Sequence, residues 1–175
     1  MRHPRDGGKA GRCAMLLPFL LLCLPGVALA GPIEDLRGRW ATAPDAAPAM
    51  EWSGDASSFT VAWTPEGGTT TTVLFTPTGR PGVYGGAAKE GWSIMGSMFG
   101  EDGPVNPLEG GTLYWARTAG NEIYLYRMRV EDRGDFTIDR YALRLADGTL
   151  TVGGDRRTAA GGEAIPERQL VRVGS

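Results

Sequence analysis

The strongest constraint on the fold is a series of strand-like segments between residues 112 and 152, joined by loops of two or three residues. Apolar and polar residues alternate along each segment, which is the pattern of a strand with one buried face. Loops this short join antiparallel neighbours, and Asp147-Gly148 is typical of a type I′ turn. The sequence therefore predicts an antiparallel meander, with loops at Ala119-Gly120 and Asp147-Gly148 and with strands over Thr112–Thr118, Asn121–Glu131, Asp135–Ala146 and Thr149–Val152.

The register of the middle hairpin follows from its charges. A two-residue loop at Arg133-Gly134 would place Arg127 opposite Arg140, and like charges directly opposite each other are destabilising. A three-residue loop over Asp132–Gly134 places Arg127 opposite Asp139 instead. We therefore predict the three-residue loop, which also pairs Glu122 with Arg144, Ile123 with Leu143, Met128 with Ile138 and Val130 with Phe136.

These registers give the meander two faces. One face is apolar except at the end next to Asp132, and we predict that it forms the interior. The opposite face carries an outward aromatic patch, and such patches often mark interaction sites; alternatively, another segment of the chain covers it. The candidate ligand-binding residues of the interior are Tyr114, Leu125, Arg127, Arg129, Asp139, Tyr141, Leu143 and Val152, and the outward aromatic patch comprises Tyr124, Tyr126, Met128, Val130, Phe136 and Ile138.

Shorter segments elsewhere extend the same pattern. Phe59–Trp63, Thr70–Thr76, Val83-Tyr84 and Glu167–Val173 are typical of strands, and Trp40 and Trp52 mark two more. A helical turn is predicted only at Pro32–Arg37, where Pro and two acidic residues begin it. Because sequential hairpins avoid exposed edges best by closing on themselves, we predict an all-β, up-and-down antiparallel barrel of about eight to ten short strands.

Residues 85–111 interrupt this rhythm. The segment Gly85–Gly111 is rich in Gly but also carries apolar side chains, so simple disorder does not describe it. Long loops of this kind are often lids or binding loops. We predict a loop or short helix over one barrel mouth, either as a lid over an apolar ligand or as a plug that is part of the core, formed by Trp92, Met95, Met98 and Phe99.

The first 30 residues have the features of a secretory signal peptide. Four basic residues precede the apolar run Met15–Leu24, and Ala28-Leu29-Ala30 is a small-x-small cleavage site. The run is too short for a membrane span, although retention as an anchor is the alternative. We expect residues 31–175 to form a single domain that is periplasmic or secreted, with no membrane span in the mature chain.

Processing also changes the chemistry of the chain. His3, Cys13 and Cys23 all lie in the leader, so residues 31–175 contain no His and no Cys. This excludes disulfides, thiol nucleophiles and Ser-His-Asp triads from the mature protein. Its 14 Arg and Lys against 19 Asp and Glu give a net charge of -5, which argues against nucleic-acid binding. We expect a protein that is not an enzyme and that uses no metal and no cofactor.

The residues Gly38-Arg39-Trp40 follow the helical turn and open the first strand. This resembles the Gly-x-Trp start of the lipocalin and fatty-acid-binding (calycin) barrels. The resemblance implies that Trp40 plugs the closed end of the barrel and stacks near a basic residue of the last strand, either Arg168 or Arg172. It also implies that a small apolar or amphiphilic molecule binds inside.

Two functions follow as hypotheses. In the first, the barrel binds a small hydrophobic or amphiphilic molecule, with Arg127 and Arg129 meeting a polar head group; alternatively, Arg127 and Asp139 form only a cross-strand ion pair at a wet rim. In the second, the barrel is filled, and the protein is an interaction module, such as an enzyme inhibitor or an envelope assembly factor. The protein partner would then dock on the outward aromatic patch or on the Gly-rich loop. Cavity volume distinguishes the two hypotheses.

Overall fold

The computed structural model describes residues 31–64, 68–88, 111–131 and 133–174. Ten strands and one short helix make up these residues, and the strands close into a barrel. The elements are α1 (Pro32–Asp35), β1 (Gly38–Ala41), β2 (Met50–Asp55), β3 (Ser58–Trp63), β4 (Thr71–Pro77), β5 (Val83–Ala88), β6 (Thr112–Ala119), β7 (Glu122–Val130), β8 (Phe136–Ala146), β9 (Thr149–Thr158) and β10 (Gly161–Val173).

Each strand pairs antiparallel with the next strand in sequence, and β10 closes the ring against β1. The closing register sets Trp40 opposite Arg172 and Ala41 opposite Val171. Closure gives every strand a neighbour on both sides, which limits the exposed strand edges, although β10 pairs with β1 only over Val171–Val173. The predicted all-β, up-and-down barrel is confirmed.

The predicted register of the β7–β8 hairpin is confirmed. Arg127 lies opposite Asp139, and the last pair is Val130 and Phe136. The Glu131 amide donates to the Asp135 carbonyl at 2.7 Å, and Gly134 has a φ of 83°. The left-handed conformation of this glycine turns the chain after the third loop residue.

The β6–β7 hairpin turns one residue later than predicted. Ala119 still belongs to β6 and pairs with Glu122, so the loop is Gly120-Asn121. Gly120 has a φ of 61°, whereas Asn121 is not in the positive-φ region. Glycine at the first loop position is the preference of a type II′ turn, which explains why Ala119 does not occupy that position.

Strand β5 reaches into the segment predicted as a loop. Residues 85–88 pair with β4, and Gly85 and Gly86 also pair with β6. A Cβ atom at Gly86 would lie 2.7 Å from the Cβ of Tyr114 and 2.9 Å from ring and methyl carbons of Phe75 and Val73. Glycine is therefore present here because the core leaves no room for a side chain, and its presence does not indicate a loop.

Aromatic side chains pack against one another inside the barrel at the end that carries α1. Trp52 stacks on Phe59 at 5.4 Å, and Phe59 contacts the rings of Phe75 and Tyr84 at 5.0 Å each. All four side chains are buried. Large aromatic side chains of β2, β3, β4 and β5 thus pack against one another in this half of the interior. The opposite end of the barrel is called the far end below.

Trp40 closes the helix end. Its indole Nε1 donates to the Leu36 carbonyl at 2.8 Å, and the Arg172 guanidinium lies 4.8 Å from the centre of its ring. Arg172 Nη2 also donates to the Asp35 carbonyl at 2.7 Å. Of the two arginines offered for this position by the sequence, Arg172 therefore stacks on Trp40. These contacts fasten α1 across the end of the barrel.

Candidate functional site

A cleft of about 190 Å³ lies inside the barrel between its middle and the far end. Side chains from β2, β3, β7, β8, β9 and β10 converge on it, and most of them are apolar. The cleft opens to solvent, so a molecule can enter without unfolding the barrel. Its lining residues are Thr42, Ala49, Met50, Trp63, Thr64, Leu125, Tyr141, Val152, Ile165, Pro166, Arg168 and Leu170.

The volume of the cleft limits what can occupy it. An apolar protein cavity of about 150 Å³ holds one benzene molecule, so 190 Å³ suits a single aromatic ring or a short alkyl chain. Ligand pockets for drug-sized molecules span about 300–1,000 Å³. The cleft is therefore matched to a small molecule, or to one apolar end of a longer molecule.

A cluster of charged side chains lies next to the cleft on the far side. The Asp139 carboxylate is completely buried and lies between two arginines. Arg127 donates to its Oδ2 from Nε at 3.0 Å and from Nη2 at 2.5 Å, and Arg156 Nε donates to its Oδ1 at 2.6 Å. Each carboxylate oxygen thus belongs to a different arginine. The cross-strand pairs Arg127–Asp139 and Asp139–Arg156 produce this arrangement directly.

The cluster holds two guanidinium groups around one buried carboxylate. A second acid, Glu163, is 66% exposed and accepts from Arg156 Nη1 at 3.3 Å. A guanidinium has five N–H donors, so Asp139 leaves donors on both arginines unused. Such donors bind carboxylate or phosphate oxygens strongly because the hydrogen bonds are charge-assisted.

Tyr141 links the cleft to the charged cluster. It lines the cleft, and Asp139 lies two residues before it on the same face of β8. Burial, and to a lesser degree the charge of Asp139, raises the pKa of the Tyr141 hydroxyl. The phenol therefore stays protonated at neutral pH and can donate a hydrogen bond to a ligand.

The structure brings together most of the predicted ligand-binding residues. Leu125, Tyr141 and Val152 line the cleft, and Arg127 and Asp139 form the cluster beside it. Tyr114 is buried one layer behind the cleft, where its ring meets Trp63 edge-on at 6.0 Å.

Two predicted residues lie elsewhere. Leu143 is on the interior face, but at the helix end, where it lines a separate pocket of about 240 Å³ next to α1. Arg129 is exposed near the end of β7, where it pairs with Thr112 and Thr137. The cleft therefore occupies a shorter part of the interior face than the eight predicted residues would cover.

Four further side chains belong to the candidate site although the sequence did not predict them there: Trp63, Arg156, Ile165 and Arg168. Arg156 follows Val152 on the same face of β9, but the strand predicted from the sequence, Thr149–Val152, ends before it. Arg168 lines the cleft and pairs with Val152. Continuing the β9 alternation through the two glycines would have placed Arg156 opposite Asp139.

The predicted lid residues Trp92, Met95, Met98 and Phe99 lie outside the described residues. The outward aromatic patch lies on the outer face of β7 and β8. At its edge, Trp115 of β6 stacks in parallel on Tyr126, with ring centres 4.7 Å apart. Leu113, on the same strand and face as Trp115, is 36% exposed.

No family model, curated protein or solved structure matches the chain. Among the described residues, no helix has the length and apolarity needed to cross a membrane. Within the same ranges, no group of three or more Asp, Glu, His or Cys side chains could hold a metal ion. The site is therefore interpreted from its own geometry.

Proposed function

We propose that the protein is an exported, non-catalytic barrel, resembling the calycins, that binds a small amphiphilic anion. The apolar part of the ligand occupies the cleft, and its acidic head group meets the arginine cluster. The observation that carries this proposal is the position of the cleft, which opens inside the barrel next to a buried carboxylate shared by Arg127 and Arg156.

The spacing between cleft and cluster defines the ligand further. Tyr141 and Asp139 are two residues apart on β8, as are Leu125 and Arg127 on β7, and two strand residues span about 6.8 Å. A carboxylate that reaches the cluster is therefore about 7 Å from an apolar group seated in the cleft. Aryl- or alkylcarboxylates of about six to eight carbons combine this reach with the volume of the cleft, since its 190 Å³ exceeds the roughly 150 Å³ that hold benzene.

Both parts of such a ligand gain free energy on binding. Each CH₂ group transferred from water to the apolar lining contributes about 0.8 kcal/mol. A charge-assisted hydrogen bond to the head group adds about 1.5–3 kcal/mol. Loss of translational freedom opposes both contributions, so we expect micromolar rather than nanomolar affinity.

Calorimetric titration with hexanoate, octanoate and 3-phenylpropanoate tests the proposal, with hexanol as the uncharged comparison. Val152→Phe fills the cleft and should abolish binding, whereas Thr151→Phe places the same ring on the outer face of the same strand and should leave it intact. Arg156→Gln should weaken carboxylates about tenfold or more and leave hexanol unchanged. If no carboxylate binds, and native mass spectrometry of the protein purified from its source shows no bound molecule, the proposal is wrong.

A second candidate function is a protein-interaction module. The stacked Trp115–Tyr126 pair on the outer face of the barrel and the exposed Leu113 beside it favour this function. In this case Tyr126→Lys abolishes partner cross-linking in the native compartment, whereas Val152→Phe has no effect. The reverse pattern of the two variants favours ligand binding.

A further inference from the structure

The carboxylate of Glu34 in α1 has one satisfied and one unsatisfied oxygen. Oε1 accepts a hydrogen bond from the Ala56 amide at 3.1 Å, which ties α1 to the turn between β2 and β3. Oε2 is buried and has no hydrogen-bond partner within the described residues. The same residues supply no Arg or Lys within ion-pair distance of Glu34. A buried carboxylate oxygen without a partner is costly, because desolvation is not repaid by a contact.

The surroundings of Glu34 are otherwise neutral. Tyr84, which is buried, feels the Glu34 charge: burial first and Glu34 second raise the pKa of its hydroxyl. Arg37, one turn farther along the chain, is turned toward the Gly54 carbonyl and Asp55 instead. The structure therefore leaves the cationic position beside Oε2 to another group.

The backbone nitrogen of Gly31 is close enough to be that group. Gly31 precedes α1, and its carbonyl accepts from the Asp35 amide at 3.3 Å, which fixes its position. A Cβ atom built on Gly31 would lie 2.7 Å from Glu34 Oε2. Because the nitrogen is bonded to the same Cα, at about 1.46 Å, it lies within about 5 Å of that oxygen. In a chain that begins at Gly31, rotation about its Cα–C bond moves only the nitrogen and can shorten this distance.

Gly31 is also the first residue after the cleavage site predicted at Ala28-Leu29-Ala30. Before cleavage its nitrogen is a neutral amide. After cleavage it is an ammonium group, with a positive charge and three donors. We propose that the α-ammonium group of Gly31, created by cleavage after Ala30, forms an ion pair with Glu34 Oε2.

The pair gives processing a structural consequence. The Leu36 and Asp35 carbonyls accept the hydrogen bonds that hold Trp40 and Arg172 at the barrel end. Fixing Glu34 at both oxygens fixes the segment that carries those carbonyls. The Gly31 amide of the precursor has one N–H and no charge, so it can donate a hydrogen bond to Oε2 but cannot form the ion pair. Removal of the leader should therefore stabilise the barrel, because a charge-assisted hydrogen bond is stronger than a neutral one. This inference is independent of the proposed ligand.

A double-mutant cycle tests the ion pair. Expression with Met before Gly31 yields the mature chain after Met removal, and expression with Met-Ala yields a chain that keeps Ala30; each is made with and without Glu34→Gln. Keeping Ala30 should change the unfolding equilibrium constant about fivefold to thirtyfold in the Glu34 background. It should change nothing in the Glu34→Gln background. Equal changes in both backgrounds would overturn the proposal.

The pKa of the α-amino group gives a second readout that does not depend on folding energies. The mature chain has one other amine, Lys89, so ¹³C-methylated protein shows two resolvable NMR titrations. The α-amino pKa should lie above its usual 7.7–8.0 in the mature chain and return to that range when Ala30 is kept. An unshifted α-amino pKa, or an exported protein whose mass shows a first residue other than Gly31, would contradict the proposal.

Discussion

Replacing Asp139 by Asn removes the charge at the centre of the cluster and changes little else. The amide has the shape of the carboxylate, so no cavity forms. It leaves the Arg127 and Arg156 guanidinium groups without the anion to which they now donate three hydrogen bonds of 2.5–3.0 Å. One amide NH₂ group also replaces an acceptor and points at an arginine.

The magnitude follows from burial. Breaking a fully buried ion pair by removing one partner costs about 3–5 kcal/mol. Asp139 is completely buried, but 22% of the Arg127 side chain and 39% of the Arg156 side chain are exposed, so water compensates part of the loss. We therefore expect Asp139→Asn to reduce the free energy of unfolding by about 3 kcal/mol.

Urea denaturation of residues 31–175, followed by tryptophan fluorescence, measures this loss. With a slope of about 2 kcal/mol per molar urea, the midpoint should fall by about 1.5 M. Glu122→Gln is the matched control, because Glu122 and Arg144 join the same two strands through two hydrogen bonds of 2.6 and 2.8 Å. That pair lies on the outer face, where 60% of the Arg144 side chain and 21% of the Glu122 side chain are exposed, against 0% for Asp139. Glu122 also accepts a hydrogen bond from the Tyr124 hydroxyl.

The two ion pairs differ mainly in burial, so the two variants test whether burial of Asp139 determines the loss of stability. Glu122→Gln should shift the midpoint little, since exposed ion pairs are worth little, and 1 M NaCl should reduce that shift further. The Asp139→Asn shift should persist in salt. If both variants lose the same small amount, or if salt removes the Asp139 effect, the cluster is solvated and does not act as a buried charge site.

Two further predictions concern the core and the cleft. Gly86→Ala should destabilise the barrel by about 1–3 kcal/mol through overpacking. Gly162→Ala is the control, because the nearest atoms to its new Cβ would be 3.5 Å away, and it should not destabilise the barrel. Equal urea midpoints for the two variants would show that the core around residue 86 can accommodate a methyl group. Because the pKa of Tyr141 is raised, the stability linked to its protonated form is complete below about pH 10, the usual tyrosine value, and is lost as pH rises through the folded pKa. The Tyr141→Phe variant should therefore lose less stability than the wild type between pH 8 and pH 11, as measured by urea denaturation. Equal losses would show that ionisation of Tyr141 does not contribute to the pH dependence of stability.

The sequence predicts the β7–β8 region well because its information is local. The charges of Arg127, Arg140 and Asp139 decide between two loop lengths, and the left-handed preference of Gly134 supports the same choice. Neither decision needs knowledge of distant residues. The ion pair at the centre of the candidate site was therefore predictable down to its two partners.

The extent of β9 was not predictable in the same way. Gly153-Gly154 interrupts the alternation and is typical of a loop. In the structure, a Cβ at Gly154 would lie 1.9 Å from the Arg140 carbonyl oxygen, so close approach of β8 requires glycine within the strand. That requirement depends on tertiary packing. Because the predicted strand ends at Val152, the sequence did not predict that Arg156, the second arginine of the cluster, pairs with Asp139.

The N-terminal contribution to the cleft depends on how the barrel is staggered. The alternation over Phe59–Trp63 correctly indicates which side chains of β3 face inward. It does not indicate which of them reaches the level of Leu125 on the opposite wall, because that level is set by the shear of the closed sheet. Trp63 and Met50 therefore line the cleft for a reason that no local pattern contains.

The pairing of β1 with β10 has a consequence for the order of events during folding. Trp40 and Arg172 are separated by 131 intervening residues, yet their contact closes the ring. A chain emerging N-terminus first from a ribosome or an export channel can form its central hairpins early. It cannot close the barrel until about the last dozen residues, which form β10, have emerged. Since contacts between sequence-distant segments slow folding, even a short C-terminal truncation should leave a chain that collapses but never closes.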